Sequence, residues 1–351
     1  MKLTYAVIEI TNRCNLRCRH CASTSGKARP NELSFDEIAA LLESIRSLGG
    51  EEITIIGGEA LLREDWYEIC LLVTQLEMRL ILISNGLQMT SETLSKLRAL
   101  SPYLVGFSLD GATRESYRQM RGVDGFDHVM TLLEQLVDDG HPNVNAITTF
   151  TRDNLYQFDE FADLFDRKNI TWQVQLANGG GKRFNTNQFI TKADFTFFVE
   201  RMKAAYRNRP NLRLRHMDDF GYCPIDPTLN FLHQTWHGCI AGRELIGVRS
   251  DGDVMGCLSL GDGFSEENIR RVPLQEIWTS DKYFTRFRNK QNLLTGACKQ
   301  CPAADDCRAG CTSIAYSATG DIGYNPYCIR ALENEEIISA VFREAGAKTQ
   351  K

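Results

Sequence analysis

Cys14-Asn15-Leu16-Arg17-Cys18-Arg19-His20-Cys21 follows directly on the apolar stretch Tyr5-Ala6-Val7-Ile8-Glu9-Ile10. The apolar stretch reads as a strand, and the cysteine run as a loop leaving its end. Three thiolates at C-x₃-C-x₂-C spacing can wrap one face of a cubane iron–sulfur cluster, which ordinarily takes four cysteines. With three, one iron keeps an open position, and in metal sites an open position marks chemistry rather than structure. The competing reading is zinc, which usually pairs a C-x₂-C knuckle with a second pair of Cys or His ligands. His20 is the nearby candidate for such a ligand, and it is wedged inside the run.

Outward from this loop, helix and strand patterns alternate. Ser34-Phe35-Asp36-Glu37 reads as a capping box, followed by Ile38, Leu41, Leu42, Ile45 and Leu48 at helical spacing and a stop at Gly49-Gly50. Strands are expected at 52–56, 79–84, 104–109, 144–150 and 171–176, with helices at 66–76, 91–100, 126–137 and 154–165 between them. Strands separated by helices of this length make βαβ units and a parallel sheet. Six or so units fall short of the eight that close a full barrel. The fold class expected is α/β, a partial (β/α)₆ TIM-like barrel. In such sheets ligands bind at the carboxyl ends of the strands. Those ends carry Gly57-Gly58-Glu59, Ser84-Asn85-Gly86, Ser108-Leu109-Asp110-Gly111 and Asn178-Gly179-Gly180-Gly181-Lys182-Arg183. Taken singly, each is also an ordinary turn. Their succession on one face of the sheet is what points to a ligand.

Beyond Thr186 the pattern changes. A helix is expected over 192–206, broken at Asn208-Arg209-Pro210, and 212–237 has little periodicity. A hairpin turning on Asp251-Gly252 follows, then a helix from Leu274 through Phe287. Cysteines return at Cys239, Cys257, Cys298, Cys301, Cys307, Cys311 and Cys328. The 351 residues include twelve cysteines, ten of them in clustered spacings, with 43% apolar residues and a net charge of −5. That acidity and the lack of a basic run argue against a nucleic-acid surface. No stretch approaches ~18 apolar residues, so no membrane span is expected. The chain enters its first strand without a signal peptide, so disulfides are unexpected and metal–sulfur chemistry in the cytoplasm is the better account. Cys70, in an apolar helical run, reads as core.

The Cys14–Cys21 run, GGE, SNG and SLDG together resemble the radical S-adenosylmethionine (SAM) enzymes. The seven later cysteines resemble the SPASM extension found on sulfatase-maturating enzymes and on the pyrroloquinoline quinone and mycofactocin synthases. The likeness runs from about Tyr5 to Glu336. It implies a radical SAM barrel over 1–186, a bridging segment over 187–236, a cysteine-rich SPASM domain over 237–335 and a terminal helix or tail over 336–351. By resemblance, Cys14, Cys18 and Cys21 hold a [4Fe–4S] cluster whose free iron binds SAM. Glu59 of the glycine motif would contact the SAM amino group, with Gly57 and Gly58 beside it. Ser84, Asn85, Ser108 and His20 would join the cofactor site, with Asp110 nearer the substrate. Alanine stands at position 60, where the family commonly has proline.

The resemblance further implies that Cys298, Cys301, Cys307 and Cys328 close one auxiliary cluster, and that Cys239, Cys257 and Cys311 hold a second. That second set is one ligand short. Cys223 could supply the ligand, act as a hydrogen-atom donor, or be a buried thiol. Leu258 follows Cys257 where sulfatase-maturating enzymes place a basic aspartate, so that mechanism is not supported. The activity the resemblance implies is reductive cleavage of SAM to a 5′-deoxyadenosyl radical that abstracts a hydrogen atom from a ribosomally synthesised peptide, giving a crosslink or side-chain oxidation. The alternatives are oxidation or decarboxylation of a tetrapyrrole or sugar, and a non-catalytic iron–sulfur carrier. The barrel begins near residue 5, so a peptide-recognition domain is expected, if at all, as a separate partner. An external flavodoxin- or ferredoxin-type donor completes the partners.

Overall fold

The computed structural model describes residues 1–217, 224–226 and 237–348. Cys223 lies outside them. Strand β1 (Tyr5–Glu9) leads into the cysteine loop, and five further βα steps follow in the predicted order. They are α1 (Phe35–Ser47), β2 (Glu52–Ile56), α2 (Trp66–Gln75), β3 (Arg79–Ser84), α3 (Ser91–Leu100) and β4 (Leu104–Ser108). Next come α4 (Arg114–Arg121), α5 (Phe126–Asp138), β5 (Val144–Phe150), α6 (Phe158–Phe165), β6 (Thr171–Leu176) and α7 (Lys192–Asn208). The Ser34 capping box is formed, with Glu37 accepting from the Ser34 amide at 2.8 Å. Helix α4 was not anticipated. Thr113 caps its start and Gly122, at φ +80°, ends it. Both are ordinary helix signals, but they enclose only eight residues rich in Arg and Gln, with no long apolar stripe to read.

Neighbouring strands β1 to β6 all pair in parallel. The sheet does not stop there. β7 (Arg213–His216), within the segment expected to be irregular, adds in parallel to β6. At the other edge β8 (Leu245–Val248), from the cysteine-rich half, pairs in parallel with β1. β9 (Asp253–Met255) and β10 (Ser265–Asn268) extend that edge antiparallel, giving one open sheet ordered β10-β9-β8-β1-β2-β3-β4-β5-β6-β7. The hairpin between β8 and β9 turns where expected, with Gly252 at φ +91°. The two halves of the chain therefore share a sheet rather than a linker.

The core runs continuously beneath it. Between the later strands and α6–α7, Phe150, Phe158, Phe161, Trp172 and Phe198 are fully buried and packed ring against ring at 4.8–6.2 Å. Each such side chain contributes roughly 1.5–3 kcal/mol of apolar burial. Cys70, in α2, is fully buried, as its helical run suggested. At the opposite edge Arg288 lies between the rings of Trp278 and Phe284, 5.1 Å from each centroid. Arg270 of the cysteine-rich half forks onto Glu37 of α1 at 2.6 and 2.7 Å. Among the described residues no helix is long and apolar enough to cross a membrane.

Candidate active site

The carboxyl ends of β1 to β6 open on a cleft of about 260 Å³, lined from the cysteine loop by Cys14, Cys18, His20 and Cys21. The cysteine loop is held from three sides. Glu32 accepts from the Asn12 amide at 2.7 Å, the Thr11 hydroxyl at 2.8 Å and the Ser250 hydroxyl at 3.0 Å, tying the loop to the β8–β9 turn. Buried Glu9 pairs with Arg29 at 2.6 Å and takes the Ser250 hydroxyl at 2.9 Å. The Asn85 amide group donates to Asn15 at 2.8 Å, binding the loop to the end of β3.

Gly57 and Gly58 turn out to serve this loop. A methyl group on Gly58 would sit 2.5 Å from the Arg13 carbonyl oxygen and 2.6 Å from that of Asn12; on Gly57, 2.7 Å from that of Thr11. The glycines admit the cysteine loop's own backbone. Gly58→Ala should therefore push the loop off the sheet. The expected result is about 10²-fold less SAM cleavage, the scale of an ångström-sized misplacement, with about a third of the iron lost. Full iron content and activity within twofold would overturn this account. The triple glycine has the same origin: a methyl on Gly181 would lie 1.9 Å from the Cys21 carbonyl oxygen, and on Gly180, 2.3 Å from that of Ser259. This strand of backbone is threaded between the cysteine loop and the cysteine-rich half.

Glu59 is 1% exposed and its carboxylate organises the floor. It accepts from the Ser84 hydroxyl and the Asn85 amide, both at 2.8 Å, and from the Leu61 amide at 3.2 Å. Burial pushes its pKa up in spite of these donors. A carboxylate has about four acceptor positions, so one remains for a ligand. Ser108 also lines the cleft.

Asp110 sits one layer behind the position expected for it. It is fully buried, 2.9 Å from His20 Nε2 and 2.6 Å from Arg121 Nε, while its other oxygen accepts from the Thr149 amide at 2.7 Å. Neither ion pair is aligned as a hydrogen bond, and His20 Nδ1 has no partner. Burial acts to raise the Asp110 pKa, but Arg121 and then His20 outweigh it and hold the carboxyl down at about 2. Arg121, from the unanticipated α4, lines the cleft and reaches Cys18 Sγ at 3.6 Å. Sequence reading missed it because its partners lie 11 and 103 residues away. Thr149, Gln175 and Arg183 also line the cleft. Arg183 donates to the Ser25 carbonyl, and its buried Nε and Nη2 have no partner among the described residues.

The thiols suit cluster sulfur. Each has a donor aimed at it: the Leu16 amide at 3.3 Å from Cys14, the Ser25 amide at 3.4 Å from Cys21, and Arg121 on Cys18. Such bonds to cluster sulfurs are a recognised tuning device. Burial pushes the Cys14 thiol up to about 11 and raises that of Cys18, so both rest as neutral thiols unless a metal draws off the proton. Among the described residues no three Cys, His, Asp or Glu side chains are gathered around a single ion. In the cysteine-rich half, Cys301 accepts from the Ala303 amide at 3.4 Å, and Cys298 from the Asn325 amide.

The model of the radical SAM superfamily matches residues 8–165, and that of the SPASM iron–sulfur cluster-binding domain matches residues 239–302. The chain is a radical SAM enzyme with a SPASM domain. Its cofactors are [4Fe–4S] clusters and SAM. This radical SAM enzyme is 29% identical to the AdoMet-dependent heme synthase of Nitratidesulfovibrio vulgaris over 91% of its own length and 90% of that protein. It is 29% identical to the mycofactocin maturase MftC of Mycolicibacterium smegmatis, over 94% and 84%. In fold it is similar to Streptococcus suis SuiB bound to the precursor peptide SuiA, with a TM-score of 0.72, 17% identity, and coverage of 93% and 75%.

Proposed function

We propose that this radical SAM enzyme is an oxidoreductase acting on a ribosomally synthesised peptide. Cys14, Cys18 and Cys21 hold the SAM-binding cluster. When bound, that cluster supplies the electron that cleaves SAM to methionine and a 5′-deoxyadenosyl radical. Glu59 offers its remaining acceptor position to the SAM ammonium, with Ser84, Asn85 and Ser108 around the rest of the molecule. His20 presents Nδ1 to the cofactor, oriented from behind by Asp110. Gly57 and Gly58 act through the placement of the cysteine loop. Cys298, Cys301, Cys307 and Cys328 hold one auxiliary cluster, and Cys239, Cys257 and Cys311 the other. SAM and that cluster would together supply a radical able to take a hydrogen atom from the substrate, and the auxiliary clusters held by the later cysteines would supply an acceptor for the electron left by a net-oxidative reaction.

The observation that carries the peptide reading is the wall of the cleft beyond the cysteines. Its described side chains include Thr149, Gln175, Asn178 and Ser259, uncharged hydrogen-bonding groups, with the two unpartnered Arg183 donors beside them. Amide and hydroxyl groups match peptide backbone and a carboxylate, whereas a tetrapyrrole needs broad apolar faces. The likeness to mycofactocin maturase supports the same reading, and the equal likeness to heme synthase supports the alternative. A cytoplasmic setting, a flavodoxin- or ferredoxin-type electron donor and a separate peptide-recognition protein complete the proposal. Under anaerobic conditions with SAM and dithionite, the reconstituted enzyme is offered synthetic peptides encoded beside its gene, or an iron tetrapyrrole. The expected product is 5′-deoxyadenosine together with a peptide that has lost a pair of hydrogens, read by mass spectrometry. Turnover of the tetrapyrrole with the peptides untouched would overturn the assignment.

A further inference from the structure

Lys290 is 1% exposed, and its ammonium donates to the Gly310 carbonyl oxygen and the Thr312 hydroxyl, both at 3.0 Å. Those two residues bracket Cys311. Two neutral acceptors leave one N–H and the whole charge uncompensated, and an isolated ammonium is among the most expensive groups to bury. Among the described residues no carboxylate forms an ion pair with it. Burial pulls the Lys290 pKa down and Arg308 adds to that, while Cys239, Cys311 and Cys307, in that order, act against it when they carry negative charge. Arg308 is itself half-buried near Cys239 and Cys307, with Arg243 repelling it. Asp321 acts on Lys290 and Asp306 on Arg308, but among the described residues neither forms an ion pair with its cation. Thiolates on a cluster, which carries net negative charge, would supply the balance that keeps Lys290 charged.

The three cysteines come from different sets: Cys239 and Cys311 from one proposed auxiliary cluster, Cys307 from the other. We infer that Lys290 is a buried cation beside Cys311, a positioning residue whose charge raises the reduction potential of the auxiliary cluster that Cys311 would hold. The inference rests on the reading that these cysteines carry two clusters, and goes beyond it by naming what makes one of them an electron acceptor. A buried positive charge near a cluster favours the reduced, more negative form, because little solvent intervenes to screen it. Sequence reading had no access to this: Lys290 lies in an ordinary polar stretch, 17 residues from Cys307.

The test uses the full chain with Cys14, Cys18 and Cys21 changed to alanine, so that only auxiliary clusters are seen, reconstituted anaerobically and titrated by EPR-monitored reduction. Lys290→Gln keeps donors for the Gly310 carbonyl and removes the charge; Lys290→Met is a second uncharged variant shaped for a buried site; Lys290→Arg keeps the charge. Both uncharged variants should shift the reduction equilibrium at least about tenfold toward the oxidised form, or ~59 mV lower for a one-electron couple. The arginine variant should stay with the parent. A purely structural lysine would leave the potentials of iron-loaded Gln and Met variants unchanged, and that result overturns the inference. An equal fall in the Arg variant overturns it too, since geometry rather than charge would then be responsible. If the parent with three alanines takes up no iron, the auxiliary-cluster reading itself fails and this inference with it.

Discussion

Changing Cys14, Cys18 and Cys21 together to alanine should abolish 5′-deoxyadenosine formation while leaving about two thirds of the iron, since three cubanes become two. The loss should be complete within detection, because the removed thiolates carry the only iron proposed to meet SAM, and an open coordination position cannot be rebuilt from alanine. The retained iron is the more discriminating half of the result. The auxiliary cysteines are placed by β8, β9 and the short helices beyond residue 290, elements that do not rest on the cysteine loop's thiols. Quantifying iron and sulfide alongside the nucleoside product separates the outcomes. Iron falling to nothing would overturn the assignment of the later cysteines to auxiliary clusters. Product formation surviving the substitution would remove Cys14, Cys18 and Cys21 from the chemistry.

The second large effect belongs to Asp110. Asp110→Asn leaves Arg121 buried beside Cys18 with no compensating charge, and breaking such a pair on one side costs about 3–5 kcal/mol. An acid-stability difference follows from the same ion pair. The Asp110 carboxyl is held at about 2 in the folded chain against an ordinary value of 3.8, so its folded pKa is depressed. A depressed acid contributes stability above its unfolded pKa and loses it as pH falls through the folded one. The native enzyme should therefore lose about 2 kcal/mol between pH ~4 and ~2 through this group alone, and the Asn variant should lack that increment. Thermal unfolding followed across that window checks both. A variant within ~0.5 kcal/mol of the parent, the scale of an indifferent surface change, would show that Asp110 does not balance Arg121. SAM cleavage should fall as well, because His20 and Arg121 both touch the cleft and both lean on this carboxylate.

Much of this molecule was legible before any coordinates. The spacing of Cys14, Cys18 and Cys21, the Ser34 cap, and the order of GGE, SNG and SLDG along alternating strands are short-range signals, written within a few residues each. What they meant individually was less secure. Gly57 and Gly58 were expected beside the cofactor and do line the cleft, but the space that their missing side chains leave is taken by carbonyls of the cysteine loop. Asp110 was expected nearer the substrate, and it is buried behind His20. Neighbours brought in from another strand leave no trace in local spacing.

The sequence by itself determined the parallel α/β sheet and the end of it at which the glycine and cysteine motifs gather, because helical and strand periodicity are local properties of a chain. Only the tertiary structure decided that β8 joins β1, so that both halves build one sheet, that Arg121 reaches Cys18, and that Lys290 bonds to the residues on either side of Cys311. Such pairings are set by which surfaces can be buried together and which charges must be balanced out of water, and those constraints exist only once the chain has closed on itself.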